Sequence, residues 1–269
     1  MKNIKICALA LSAGFMLCST AGCFKKDVPP VSSSLAVTTK ASSETTAAPS
    51  ESGESSAAGS ESSLGSIELD AERQEYANGF ITTFARQYIS RFNASNAGIE
   101  QYADFAHIYF IINGYRQIST QKKGDLSFEV FSFAEANGIV AKYFGVLLKE
   151  EDCKKLPAPP STYGDQPAGP FYEDGKFWYE AAGGETYNIL AVVDSCKNNG
   201  DGTQTLYFTV YMVDSEDYSK DEVFKKYLKL TSSEAKKDKT LKKSATGTAT
   251  VDIAESGDYL MKYYRSNNV

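Results

Sequence analysis

Residues 185–214 read ETYNILAVVDSCKNNGDGTQTLYFTVYMVD, and they decide the class of fold. Two β-prone runs, Glu185 to Ser195 and Thr203 to Asp214, flank Asn198-Asn199-Gly200-Asp201-Gly202. Asn, Asp and Gly tolerate the backbone angles of a tight hairpin turn, so the stretch predicts an antiparallel pair. Downstream, Thr246 to Ala254 and Asp258 to Arg265 flank Glu255-Ser256-Gly257 in the same way. Upstream, Glu173-Asp174-Gly175-Lys176 is a turn signal between Phe171-Tyr172 and Phe177-Trp178-Tyr179. Successive hairpins predict a meandering antiparallel sheet over residues 171–269.

Toward the N-terminus the period changes. Tyr76, Phe80, Phe84, Tyr88 and Phe92 recur every fourth residue beside Ala77, Ile81 and Ala85, the apolar stripe of an amphipathic helix that starts near Ile67. After a turn at residues 93–96, a second helix is expected over about residues 97–112, stopping at Asn113-Gly114. Lys123-Gly124-Asp125 marks a turn between short β-prone runs. Ser132 and Glu135 then form a capping box that opens a third helix, ended by Gly145. Five of the eight prolines fall in residues 156–170, a loop between a mainly helical half (67–155) and a mainly β half (171–269). The expectation is an α+β domain over 67–269, N-terminal helices packed on a C-terminal antiparallel β-meander, after a disordered tether.

The chain opens MKNIKICALALSAGFMLCSTAGC. Lys2 and Lys5 precede an apolar run of signal-peptide length, too short and too interrupted by Ser12 and Gly14 to cross a membrane. Thr20-Ala21-Gly22-Cys23 resembles the lipobox of bacterial lipoproteins, with Thr20 where an aliphatic residue is usual. The resemblance implies a signal peptide over 1–22 and a lipidated Cys23 on the outer face of the cytoplasmic membrane, where two acyl chains hold stably. Residues 23–66 are rich in Ser, Thr, Ala and Glu, a composition that cannot bury enough surface to order itself. As a coil, such a tether spans about 35 to 40 Å. The order of elements after it resembles NTF2-like and cystatin-like folds, and the whole is similar to uncharacterised clostridial-type lipoproteins. Neither likeness brings functional residues with it, because one fold hosts many functions.

The chain carries 28 Lys and Arg against 34 Asp and Glu, a net charge of −6 that becomes −8 once Lys2 and Lys5 leave with the leader. Nucleic-acid binding depends on neutralising phosphates, so an acidic chain argues against it. Of five cysteines, two remain beyond Cys23: Cys153 and Cys196. In an exported domain such a pair suggests a disulfide, and two independent thiols are the alternative.

Little chemistry stands out. The single histidine, His107, has Asp104 one helical turn back and reads as a satisfied, partly buried side chain rather than a catalytic base. One His and two separated Cys give no zinc spacing, and no metal or cofactor is expected. The 198–202 run hints at a calcium loop, but Lys197 stands where the first acidic ligand belongs, and a plain turn is preferred. Ser119 to Lys122 and Ser233 to Lys236 match a Ser-x-x-Lys pattern that a Ser- and Lys-rich chain produces by accident.

Two binding features remain. Tyr172, Phe177, Trp178 and Tyr179 lie on one hairpin; core packing is the preferred reading, and an aromatic platform for a glycan or peptide is the alternative. Residues 220–243 hold nine lysines against four acids; Lys225, Lys226, Lys229, Lys236, Lys237, Lys239, Lys242 and Lys243 are the candidate contact with an anionic surface. The reading is a membrane-anchored extracytoplasmic lipoprotein whose α+β domain binds an envelope glycan, peptide or protein, without catalysis. The alternative is a carboxylate-dependent glycan hydrolase using Glu180, Glu185 and Asp194.

Overall fold

The computed structural model describes residues 65–113, 118–159, 170–181 and 188–268. Residues 1–64, on which the expected leader, Cys23 and the expected tether fall, and most of the proline-rich loop lie outside them. In chain order the elements are β1 (Gly65–Ile67), α1 (Ala71–Ala85), β2 (Arg91–Asn93), α2 (Ile99–Asn113), β3 (Ser119–Lys123), β4 (Leu126–Ser132), α3 (Phe133–Phe144) and α4 (Glu150–Cys153). There follow β5 (Phe171–Glu173), β6 (Lys176–Glu180), β7 (Ile189–Asn198), β8 (Thr203–Val213), α5 (Asp221–Leu228), α6 (Ser232–Ala235), β9 (Leu241–Ile253) and β10 (Tyr259–Asn268). The fold is α+β. Every strand pairing and core cluster given below lies within residues 65–268, so this portion builds its core from its own residues.

The strands form two antiparallel sheets. One runs β1-β7-β8-β9-β10-β2 and the other β3-β4-β6-β5. The β7–β8 and β9–β10 hairpins turn where the sequence places them, at 199–202 and 254–258. The mainly helical stretch and the mainly β stretch are joined by a sheet that draws strands from both. The β5–β6 hairpin leaves the meander and pairs with β4, from before the proline-rich loop, so that Glu129 faces Tyr179 and Phe131 faces Phe177. Pairing across so long a separation leaves no local signal in either strand.

The first helix also departs from expectation. Asp70 caps it, accepting from Arg73 N at 2.9 Å, and it ends at Ala85. Residues four apart drift about 40° around a helix, so a stripe of four such steps cannot stay on one face. Phe80 and Phe84 are buried, Tyr76 sits on the margin at 40% exposure, Tyr88 is exposed with φ +56°, and Phe92 reaches the core from β2. The capping box of α3 is present in both directions, and Gly145 ends that helix with φ +67°.

The edge of β7 is closed by the first two of the described elements. Gly65 and Ser66, expected in the tether, pair as β1 with Lys197 and Asn198. Beyond them α1 takes over with side chains in place of a strand. Thr82 Oγ1 lies 2.9 Å from Ala191 N and 3.2 Å from its carbonyl oxygen, donating to the latter and accepting from the former. Asn78 Oδ1 accepts from Val193 N at 2.7 Å, and Gln74 Nε2 donates to Val193 O at 3.0 Å. Unpaired edge groups invite another strand, and burying them unpaired is costly; this ladder satisfies them.

One core joins the inner faces of both sheets to α1, α2 and α3. Phe84 sits in it with ring centroids 4.9 Å from Phe105, 5.7 Å from Phe144 and 5.7 Å from Tyr264. The opposite face of the larger sheet is covered by the segment between β8 and β9, where Leu190, Val192, Tyr211 and Val213 meet Tyr218, Ala235 and Leu241. In β9, Gly247 lies opposite Phe208, whose ring crosses the glycine to stack on Tyr264 at 5.3 Å; any side chain at 247 would collide with that ring and with the Arg265 carbonyl oxygen.

Candidate functional site

Three elements meet around Tyr76. Helix α1 contributes Glu75, Tyr76, Gly79 and Phe80; α3 contributes Lys142 and Tyr143; the start of β10 contributes Asp258 and Tyr259. They line a cavity of about 310 Å³. A second cavity of about 340 Å³, lined by Ile67, Leu69, Arg73, Gln204, Ile253 and Gly257, shares Tyr76 and Tyr259 with the first. The two tyrosines are therefore the wall between paired hollows, ring centroids 5.0 Å apart and tilted by 52°.

The wall is held by hydrogen bonds that local sequence provides. Gly257, with φ +87°, turns the chain so that its N–H reaches Ala254 O at 2.8 Å and Ala254 N reaches Asp258 O at 2.9 Å. This presents Tyr259 N, which donates to Tyr76 Oη at 3.0 Å, while the Tyr76 hydroxyl donates to Asp258 Oδ1 at 3.2 Å. Asp258 Oδ2 accepts from Ser256 Oγ at 2.7 Å. Burial first, and the Asp258 carboxylate behind it, raise the Tyr76 phenol against the lowering effect of the Tyr259 N–H, so it stays a donor at neutral pH. Burial likewise lifts Tyr143, and pushes Tyr259 up to about 12.

Phe80 floors the first cavity, 5.8 Å from the Tyr143 ring and 5.5 Å from Tyr259. At Gly79 a methyl group would meet only Leu228 Cδ1, at 3.6 Å, so the glycine leaves the α1 side of the cavity bare. Glu75 is 3.7 Å from Lys229, and the Lys142 ammonium lies 5.3 Å from the Tyr143 ring centroid. The arrangement offers apolar ring surface with hydroxyls and charges of both signs at its margin. Asp258 accepts from Tyr76 and Ser256, and Glu75 faces Lys229.

Tyr172, Phe177, Trp178 and Tyr179 are packed, the preferred reading, and do not form an aromatic platform. Phe177 and Tyr179 enter the main core, Trp178 joins Phe128, Val130 and Phe171 on the other face, and Tyr172 is half-buried against Phe177 at 5.1 Å. Both faces of β6 are covered, so alternation exposes no ring. Lys123, paired with Glu173, lies over Trp178 at 4.2 Å.

The disulfide is also corrected. Cys153 and Cys196 are free and buried, Cys153 Sγ donating to Lys149 O at 3.5 Å and Cys196 Sγ to Gln204 Oε1 at 3.3 Å. They sit on α4 and β7, each engaged within its own element or hairpin. Burial pushes both thiols up to about 11.

The three carboxylates of the hydrolase reading are not brought together by what is described. Glu180 ends β6 in the smaller sheet, Glu185 lies outside the described residues, and Asp194 of the larger sheet accepts from Thr209 Oγ1 at 2.8 Å and from Ser232. The 198–202 run closes as a turn, Thr203 N donating to Asp201 Oδ1 at 3.0 Å. The lysines of 220–243 are exposed on and beside α5, after α6 and at the start of β9; Lys229, Lys236 and Lys242 pair with Glu75, Asp194 and Asp214 at 3.7, 3.7 and 2.6 Å.

His107 is satisfied, as its sequence context suggests. Its Nε2 is 2.7 Å from Glu129 Oε2, and its ring stacks on Tyr179 at 4.0 Å, while the Tyr179 hydroxyl donates to Asp104 Oδ1 at 2.8 Å. Burial lowers His107 despite the Glu129 bond, and burial raises Asp104 despite the bond from Tyr179.

No protein family matches the chain, and no curated protein or solved structure is detectably similar to it. The cavity residues carry no sequence motif. The one available signal was Tyr76, at the margin of the α1 stripe by its angle, where a ring is half-exposed.

Proposed function

We propose that this is an exported, membrane-anchored lipoprotein whose α+β domain binds an envelope ligand in the paired hollows around Tyr76 and Tyr259, without catalysis. The observation that carries the reading is the shared wall. Two neighbouring cavities, each of small-molecule size, are divided by two rings whose orientation is fixed by hydrogen bonds, and rigid aromatic surface is what weak-binding sites for peptides and sugars are built from. The leader with Ala21-Gly22-Cys23 supports the placement outside the cell.

The test is calorimetric titration of the chain from residue 24 onward with a muramidase digest of peptidoglycan, fractionated by size. Saturable heat that Tyr76→Ala and Gly79→Leu each reduce at least tenfold is expected. Binding unchanged in both variants overturns the use of this cleft. Retention of the full chain in the membrane fraction, lost on Cys23→Ser, tests the anchor.

A second reading is favoured by charge. Among the described residues Lys225, Lys226, Lys237, Lys239 and Lys243 are exposed without an ion pair, at about 1 kcal/mol each near an anionic leaflet. This segment lays the domain against the membrane. Sedimentation with phosphatidylglycerol vesicles, falling with salt and with Lys→Glu changes at these positions, is the expected result; equal binding to phosphatidylcholine vesicles refutes it.

A further inference from the structure

Resting on the reading of the Tyr76 cleft as a binding site, we propose that its first cavity takes a zwitterion of the α-amino acid class, a free amino acid or the end of a short peptide with an apolar side chain. The charged groups around this cavity come from three separate elements and carry both signs: Glu75 from α1, Lys142 from α3 and Asp258 from the start of β10. Glu75 has Lys229 at 3.7 Å, which leaves Asp258 as the carboxylate without an ion pair among the described residues and Lys142 as the cation without one. The aromatic floor, Phe80 with Tyr143 and Tyr259, is where an apolar side chain goes.

Asp258 keeps acceptor capacity beyond its bonds from Tyr76 and Ser256, because an ionised carboxylate offers about four lone-pair sites. It receives the ligand's ammonium. Lys142 rests its ammonium over the Tyr143 ring, a cation–π seat that holds the charge at the cavity without neutralising it. It receives the ligand's carboxylate. A neutral sugar would use neither charge, and a simple alkylammonium would be repelled by Lys142. The volume of about 310 Å³ suits one amino acid with its solvent or a dipeptide.

Four probes of one shape separate the charges: L-phenylalanine, phenethylamine, 3-phenylpropionate and N-acetyl-phenylalanine amide. Titrated into the chain from residue 24 onward, phenylalanine is expected to bind about tenfold or more tighter than either singly charged probe, since a charge-assisted hydrogen bond is worth that factor. Lys142→Met should erase the advantage of phenylalanine over phenethylamine and leave its advantage over 3-phenylpropionate. Asp258→Asn should do the reverse, and its amide oxygen still accepts from Tyr76. A misfolded variant would lose every probe together, so this crossed pattern is the readout. Equal affinity for all four probes, reduced by Tyr76→Ala, overturns the zwitterion and leaves the cleft standing. Binding of none of the four overturns the zwitterion; the peptidoglycan titration then decides on the cleft separately.

Discussion

Asn78→Ala should be among the most damaging single changes in the domain. The side chain is fully buried and makes four hydrogen bonds: it accepts from Val193 N at 2.7 Å and Gln74 Nε2 at 2.9 Å, and donates to Leu228 O at 2.8 Å and Leu230 O at 2.9 Å. It thus ties the edge of β7 to the C-terminal end of α5. Alanine leaves the Val193 amide buried and unpaired, at about 1–3 kcal/mol, and forfeits two bonds to carbonyls at about 1 kcal/mol each. The sum is about 3–5 kcal/mol, a large part of the 5–15 kcal/mol that holds a typical domain. In a domain of this size that lowers the melting temperature by about 10 to 15 °C.

The assay is urea unfolding of the chain from residue 24 onward, read by far-UV circular dichroism with the slope compared between variants. Asn78→Asp refines the test. It keeps the acceptor for Val193 and Gln74 but turns an oxygen toward two carbonyl oxygens, which favours the protonated carboxyl in the folded state. The folded pKa then stands above the unfolded value of about 3.9, so stability falls as pH rises through that range. A loss below about 1 kcal/mol for Asn78→Ala, or an Asp variant indifferent to pH, refutes the reasoning.

Gly247→Ala should cost about 3 kcal/mol or prevent folding, because the new methyl meets a strand carbonyl and the Phe208 ring together; thermal unfolding reads it. Gly145→Ala should cost about 1–2 kcal/mol by the same assay, from the positive φ and from Leu260 Cδ1 at 2.8 Å. Stability should dip at mildly acid pH. Asp104, raised by burial, makes the fold less stable as pH climbs above 3.8, and His107, lowered by burial, makes it more stable as pH climbs toward 6.5. His107→Gln combined with Asp104→Asn should flatten that dip in urea titrations from pH 4 to 7; a profile unchanged by the pair contradicts the assignment. Cys153 and Cys196 should resist a thiol reagent at pH 8 in the native protein and yield two thiols once denatured without reductant.

What the sequence reveals here is local. The α3 capping box, the turns after β5, β7 and β9, and the α+β class all follow from residues within a few positions of one another. Long-range partners are what it hides. Gln74, Asn78 and Thr82 lie on the face of α1 opposite Phe80, where a reader places solvent, and the structure puts a sheet edge there. Alternation alone leaves one face of β5 and β6 unaccounted for, and only the pairing with β4 and a second cluster show that both are covered. The cleft was out of reach for the same reason: Tyr76 and Tyr259 are brought together by the sheet, with nothing in either neighbourhood to announce the other.

The segment between Val213 and Leu241 leaves the sheet and returns to it at directly opposed residues. Its ends are therefore already joined by the ladder, and strand register owes nothing to what lies between. Its turns can lengthen, shorten or change their surface residues without shifting a single β pairing, provided the segment still shields Leu190, Val192, Tyr211 and Val213 and still presents the Leu228 and Leu230 carbonyls to Asn78. Its exposed turns, away from Leu228 and Leu230, are the natural place to graft a reporter or affinity tag while keeping the same frame.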